Sequence, residues 1–139
     1  AVQKNYELTL YGEQMTRFMI DTDRAIDCIE YGLTKTGYSI APNLKSHKVK
    51  DLFEIYAEKF GLRWKLGAPR IGEKYHEQMI SPYETERVSY NTENDMYLIH
   101  YKNIDGTVEL PSEGLSSENR LVSKVELEEV LSLHNFFKP

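Results

Sequence analysis

Polar and apolar residues alternate over Glu7-Leu8-Thr9-Leu10-Tyr11, which predicts a strand ended by Gly12. Residues 15–20 read as a second short extended run. The period then lengthens to that of a helix. Asp21 is placed to cap a helix from Thr22 to about Lys35, with Ala25, Ile26, Ile29 and Leu33 on one face and Gly37 as its stop. Cys28 falls on or near that face and reads as a packing residue. Tyr38-Ser39-Ile40 predicts a strand closed by Pro42, and residues 43–48 a polar loop. A second amphipathic helix follows from about Val49 to Phe60. Its stripe is Val49, Leu52, Phe53, Tyr56 and Phe60, and Gly61 sits just past its end. Residues 63–66 alternate again, with Trp64 and Leu66 on one face.

After Gly67 and Pro69 the chain turns through Arg70-Ile71-Gly72, and a helix is predicted from about Glu73 to Ile80. Ser81-Pro82-Tyr83-Glu84 has a helix-start pattern, with Ser as cap, Pro first and Glu third, and predicts one short turn. Residues 87–91 and 96–102 read as the strands of a hairpin around Glu93-Asn94-Asp95. Residues 103–117 are rich in loop formers, among them Asp105-Gly106, Pro111 and Gly114. Ser123 with Glu126 forms a capping box for a last helix to about Leu133. Short strands between two or three helices predict a small mixed α/β domain over residues 1–139, with a tail region from about 103 to 139.

Composition narrows the function classes. A chain of 139 residues with 40% hydrophobic residues can bury a core without cross-links. Its net charge of −5 argues against general nucleic-acid binding, yet leaves room for a local pair of arginines that holds an anion. No apolar run reaches membrane-span length. A single cysteine forbids an internal disulfide and fits a reducing, cytoplasmic setting. Four scattered histidines and one cysteine do not make a zinc site, so no metal is expected. The first residue is Ala and not Met, which leads to the expectation of a segment of a longer protein.

The stretch Arg70-Ile71-Gly72-Glu73-Lys74-Tyr75-His76-Glu77 carries the candidate chemistry. A strand that ends in a Gly/Pro turn and opens into a helix aims backbone N–H groups and a cationic side chain at one spot, a site for phosphate. The competing reading is a solvated turn with a surface arginine. Gly72 has a backbone role, through positive φ or close approach. His76 has no partner at a useful spacing and reads as non-catalytic, and Glu77 as a support of the turn or a partner of Lys74.

Met15-Thr16-Arg17-Phe18, followed by Arg70-x-Gly72-Glu73-Lys74-x-x-Glu77, resembles the C-terminal, substrate-binding part of the extended short-chain dehydrogenase/reductases. Within them it looks like the polysaccharide-biosynthesis branch, the UDP-N-acetylglucosamine 4,6-dehydratases. Ser116-Ser117-Glu118-Asn119, Leu121-Val122 and Val125-Glu126 resemble the tail of the capsular-polysaccharide dehydratases. The resemblance implies that Arg17 and Arg70 hold the diphosphate of a UDP-sugar and that Glu73 accepts from the ribose hydroxyls, with Thr16, Gly72 and Lys74 in support. It implies an intact enzyme, homo-oligomeric, whose NAD(P) and catalytic residues belong to a Rossmann cofactor domain absent from this chain. On that reading the chain alone holds no cofactor and no activity. A 4-epimerase of the same superfamily and a non-catalytic nucleotide- or partner-binding module are the alternatives. Tyr31 and Lys35 have the Tyr-x-x-x-Lys spacing of the superfamily's catalytic pair, but at the end of a helix in the wrong part of the chain, and read as structural.

Overall fold

The helix over Val49–Phe60 forms with the bounds its apolar spacing predicts, and Gly61 ends it in the left-handed conformation at φ +63°. The computed structural model describes residues 7–137. The outermost residues of the 1–139 domain assignment, Ala1 among them, lie outside that range.

In chain order the elements are β1 (Leu8–Tyr11), β2 (Thr16–Phe18), α1 (Thr22–Leu33), β3 (Tyr38–Pro42), β4 (Ser46–Lys48), α2 (Val49–Phe60), β5 (Trp64–Gly67) and β6 (Gln78–Ile80). A 3-10 helix (Pro82–Arg87), β7 (Val88–Asn91), β8 (Met96–His100), β9 (Leu115–Ser116) and α3 (Lys124–Leu133) complete them. This is the small mixed α/β architecture expected from the pattern. The strands pair in small sets: β1 runs parallel to β5, β2 antiparallel to β4, β6 antiparallel to β9, and β3-β8-β7 form an antiparallel sheet.

Two apolar clusters hold these sets together. Ile80, Val88, Tyr97, Ile99 and Leu115 pack with Ala41 where β6 and β9 meet the three-stranded sheet. Ile55 of α2 packs with Leu127 and Leu131 of α3, and Leu52, Tyr56 and Phe137 close round them. The other side of α2 meets β5 through Phe53, whose ring stands edge-on to Trp64 at 6.3 Å. The helix therefore buries two flanks, and Ile55, outside the predicted stripe, is its one buried residue.

Three expectations are corrected. Residues 73–80 are not a helix: a turn and bends lead into β6. The segment makes its bonds outward, to β2 and β9, and those displace the local i→i−4 ladder. Residues 43–48 are not wholly loop, because Ser46–Lys48 pairs with β2. The apolar face of α1 is present but uncovered among the described residues: the helix has no buried residue, and Ile29 and Leu33 are 64% and 82% exposed.

Candidate functional site

Parallel pairing of β1 with β5 sets Tyr11 opposite Gly67. A Cβ on Gly67 would lie 3.1 Å from two atoms of the Tyr11 ring and 2.7 Å from the Thr9 methyl. The missing side chain thus gives the ring room at the end of β5. The Arg70 guanidinium lies over this ring, 4.4 Å from its centroid. Immediately after, the Glu73 N–H donates to the Arg70 carbonyl at 3.1 Å, and Gly72 takes φ +82° in the third place of that turn. Such a φ at this place defines a turn that favours glycine. Ile71, at the tip, is fully exposed.

Arg17 of β2 reaches the same loop from the other side. Its Nη1 donates to the carbonyls of Thr16 (2.8 Å) and Tyr75 (3.2 Å), and its Nη2 to the carbonyl of Lys74 (3.0 Å). Two carboxylates complete its shell at longer range, Glu73 at 3.5 Å and Glu77 at 3.7 Å. The guanidinium is mainly a clasp that ties residues 73–77 to β2. Short carbonyl contacts hold its inner edge, and loose ion pairs occupy the rest. Such half-exposed pairs contribute little to stability, about 0–1 kcal/mol each. Among the described residues the Arg70 side chain makes no hydrogen bond or ion pair, so of the two arginines its charge is the available one.

Arg17, Glu73 and Tyr11 line one cavity of about 210 Å³, whose walls also include Met15, Val49 and Phe53. Arg17 lines this cavity, whereas Arg70 does not and reaches it only through its contact with Tyr11. The remaining expected residues fall differently. Lys74 is exposed and contributes its carbonyl to Arg17. Gly72 makes the turn. Thr16 is buried, 2% exposed, and its hydroxyl bonds Ser117 and His76 and not the cavity beside Arg70. With no helix at 73–80, a helix N-terminus contributes nothing to anion binding here. Glu77 pairs with Arg17 and not with Lys74.

Sequence reasoning missed Tyr11 and the long-range partners of His76. Tyr11 reaches the site only because β1 pairs with β5, and no local signal announces that. His76 finds its partners at Thr16 and Glu118, far away in the chain. Tyr31 has a structural setting: its hydroxyl accepts from Asn91 at 3.1 Å, and Lys35 lies 5.3 Å over its ring. A larger apolar cavity of about 530 Å³ lies between β2, α2 and α3, lined by Phe18, Leu52, Tyr56 and Leu131 among others. His47 also lines it. Burial holds the His47 pKa below its ordinary value, and its Nδ1 has no hydrogen-bond partner among the described residues.

No family model matches the chain, and no curated protein matches it. Among solved structures it is similar to the X-ray structure of Pen from Bacillus thuringiensis, with a TM-score of 0.80 and 18% identity. That match covers 96% of this chain and 43% of the neighbour, so the chain spans less than half the neighbour's length. At this identity the likeness is one of fold. The membership of the extended short-chain dehydrogenase/reductases drawn from Met15-Thr16-Arg17-Phe18 and the Arg70–Glu77 motif is therefore corrected: neither a family model nor a curated relative supports it. Motifs of four to eight residues specify local contacts, and the contacts they make here are those of the Arg17 clasp and the Arg70 turn.

Proposed function

We propose that the surface formed by Tyr11, Arg70 and Glu73 binds the diphosphate handle of a nucleotide sugar, with a UDP-sugar as the ligand class. The observation that carries this reading is the Arg70 guanidinium, held over Tyr11 beside a cavity that Glu73 and Arg17 line. A stacked guanidinium keeps its planar fork and its charge, and a fork matches two phosphate oxygens at once. Glu73 supplies a carboxylate that can accept from two adjacent ribose hydroxyls. Arg17 holds the loop, and its loosely paired outer edge can turn to a phosphate when one arrives. The cavity is smaller than the ~300–1,000 Å³ of a whole-ligand pocket. One group of the ligand would enter it while the rest lies along the exposed loop of residues 70–75.

The function proposed is binding. Guanidinium, carboxylate and phenol supply charge, acceptance and a stacking face. A nucleotide-sugar ligand fits a cytoplasmic setting, as the single cysteine does. Titration calorimetry of the chain with UDP, uridine and inorganic pyrophosphate tests the reading. UDP and pyrophosphate should bind and uridine should bind far less. Binding of uridine as tight as that of UDP would remove the diphosphate from the account.

A second reading rests on Ile71, fully exposed beside Arg70, with Leu66 and Tyr75 also exposed. An apolar tip next to a cation suits an acidic protein partner. On that reading none of the three small ligands binds.

A further inference from the structure

On the opposite side of the 70–77 loop, four polar side chains meet at a buried point. Ser117 is 0% and Thr16 2% exposed, and they stand 101 positions apart in the chain. Thr16 Oγ1 lies 2.6 Å from Ser117 Oγ and 2.8 Å from His76 Nδ1. Ser117 Oγ accepts from the Glu77 N–H at 2.8 Å and lies 3.1 Å from the Thr16 carbonyl. Ser46 Oγ donates to the Ser117 carbonyl at 2.6 Å. Backbone bonds run alongside: Thr16 N–H donates to the Tyr75 carbonyl at 2.9 Å, and Ser117 N–H to the Glu77 carbonyl at 2.8 Å. Residues 75–77 are thereby clamped between β2 and the segment after β9.

The protons in this cluster can be placed in two complete ways. With His76 neutral and its proton on Nε2 toward Glu118 (3.7 Å), Ser117 O–H donates to Thr16 Oγ1 and Thr16 O–H donates to His76 Nδ1. With His76 protonated at both nitrogens, Nδ1–H donates to Thr16 Oγ1, Thr16 O–H to Ser117 Oγ, and Ser117 O–H to the Thr16 carbonyl. Both hydroxyls and Nδ1 are paired in each arrangement, and Ser117 Oγ accepts the Glu77 N–H in both, while Nε2 faces the polar cavity and Glu118. Buried polar groups left unpaired are what usually open a structure when a histidine changes charge, and here none is left.

We propose that Thr16 and Ser117 form a reversible hydroxyl chain, which lets His76 gain or lose a proton while the 70–77 loop stays docked. His76 is then a positioning residue for that loop in both charge states. The proton enters from a polar cavity of about 530 Å³ that His76 and Thr16 line. The charges facing it are Glu118, Glu13 from the turn after β1, Lys48 from β4, and Lys50, Asp51 and Glu54 from α2, with Lys50 paired to Glu13. The clasp does not depend on what the loop binds; only its consequence for ligand affinity rests on the reading above.

The test needs no ligand. Amide hydrogen exchange at Glu77 and Ser117 is followed by NMR on the full chain from about pH 8 to about pH 5, after correction for the intrinsic exchange rate and relative to the slowest-exchanging core amides, so that the His47-linked change in global stability cancels, while the His76 ring signals report its protonation. Protection should stay within about threefold as the ring takes its proton. His76→Asn, whose amide can accept or donate at the place of Nδ1, should keep that protection, and His76→Leu should lose it by about tenfold or more. Protection that falls tenfold in the wild-type chain as His76 protonates would overturn the proposal, and so would a Leu variant as protected as wild type. The wild-type titration stands even if a variant fails to fold.

Discussion

Gly114 sits where β9 begins, and alanine there should be among the most damaging single-methyl additions in the chain. A Cβ at this position would lie 2.1 Å from the Ile80 carbonyl oxygen and 2.9 Å from the Ser81 carbonyl carbon. Both are backbone atoms of β6 and the residue after it, so no side chain can swing aside. Gly114 also has φ +78°, which costs an alanine about 1–2 kcal/mol. Gly106 is an internal control, because its φ is +76° and nothing lies within 4 Å of its Cβ position. Gly106→Ala should therefore cost the backbone strain alone, about 1–2 kcal/mol. Gly114→Ala adds the separation of β6 from β9, which leaves buried backbone groups poorly paired at about 1–3 kcal/mol more. The total is about 2–5 kcal/mol, or roughly 8–20 °C in Tm at about 4 °C per kcal/mol. Thermal unfolding followed by far-ultraviolet circular dichroism, with urea unfolding as a second measure, reads both variants. Equal midpoints for Gly106→Ala and Gly114→Ala would refute the close-approach argument.

Two further outcomes follow from single side chains. Burial lowers the His47 pKa, so as pH falls the unfolded chain takes the proton first; stability is complete above about pH 6.5 and declines as pH falls toward the lowered folded value. His47→Phe should flatten that decline between about pH 7.5 and about pH 5.5 in urea midpoints, and an unchanged slope would place the titrating group elsewhere. Tyr31→Phe removes the hydroxyl that accepts from Asn91 and should cost about 0.5–1.5 kcal/mol at most, with UDP affinity unchanged by calorimetry.

Much of the local structure was legible because it is set by neighbours in the chain. Asp21 accepts from the Arg24 N–H and caps α1, Ser123 and Glu126 close the capping box of α3, and Ser81 with Glu84 does the same before the 3-10 helix. The hairpin of β7 and β8 turns through Asp95 at φ 53°. What stayed hidden depends on partners distant in sequence. Residues 73–80 look helical taken alone, but their hydrogen-bonding groups go to Arg17, Thr16 and Ser117. The apolar stripe of α1 predicts burial, yet spacing cannot say what lies opposite. At the site, Arg17 and Glu73 were legible as residue types, whereas the division of labour between a clasped Arg17 and an available Arg70 follows from where backbone carbonyls fall. Short motifs also suggested a family that the whole chain does not support.

The affinity of the Arg70→Ala chain for UDP tests the central claim most directly. Loss of a charge-assisted contact should weaken binding by about 1.5–3 kcal/mol, roughly ten- to a hundredfold in Kd. Arg70→Lys should recover part of it, as a point charge without the planar fork. Because the exposed Arg70 side chain makes no hydrogen bond or ion pair among the described residues and only stacks on Tyr11, the substitution should leave Tm within about 4 °C of wild type. An Arg70→Ala chain that folds normally and binds UDP as tightly as wild type would contradict the account.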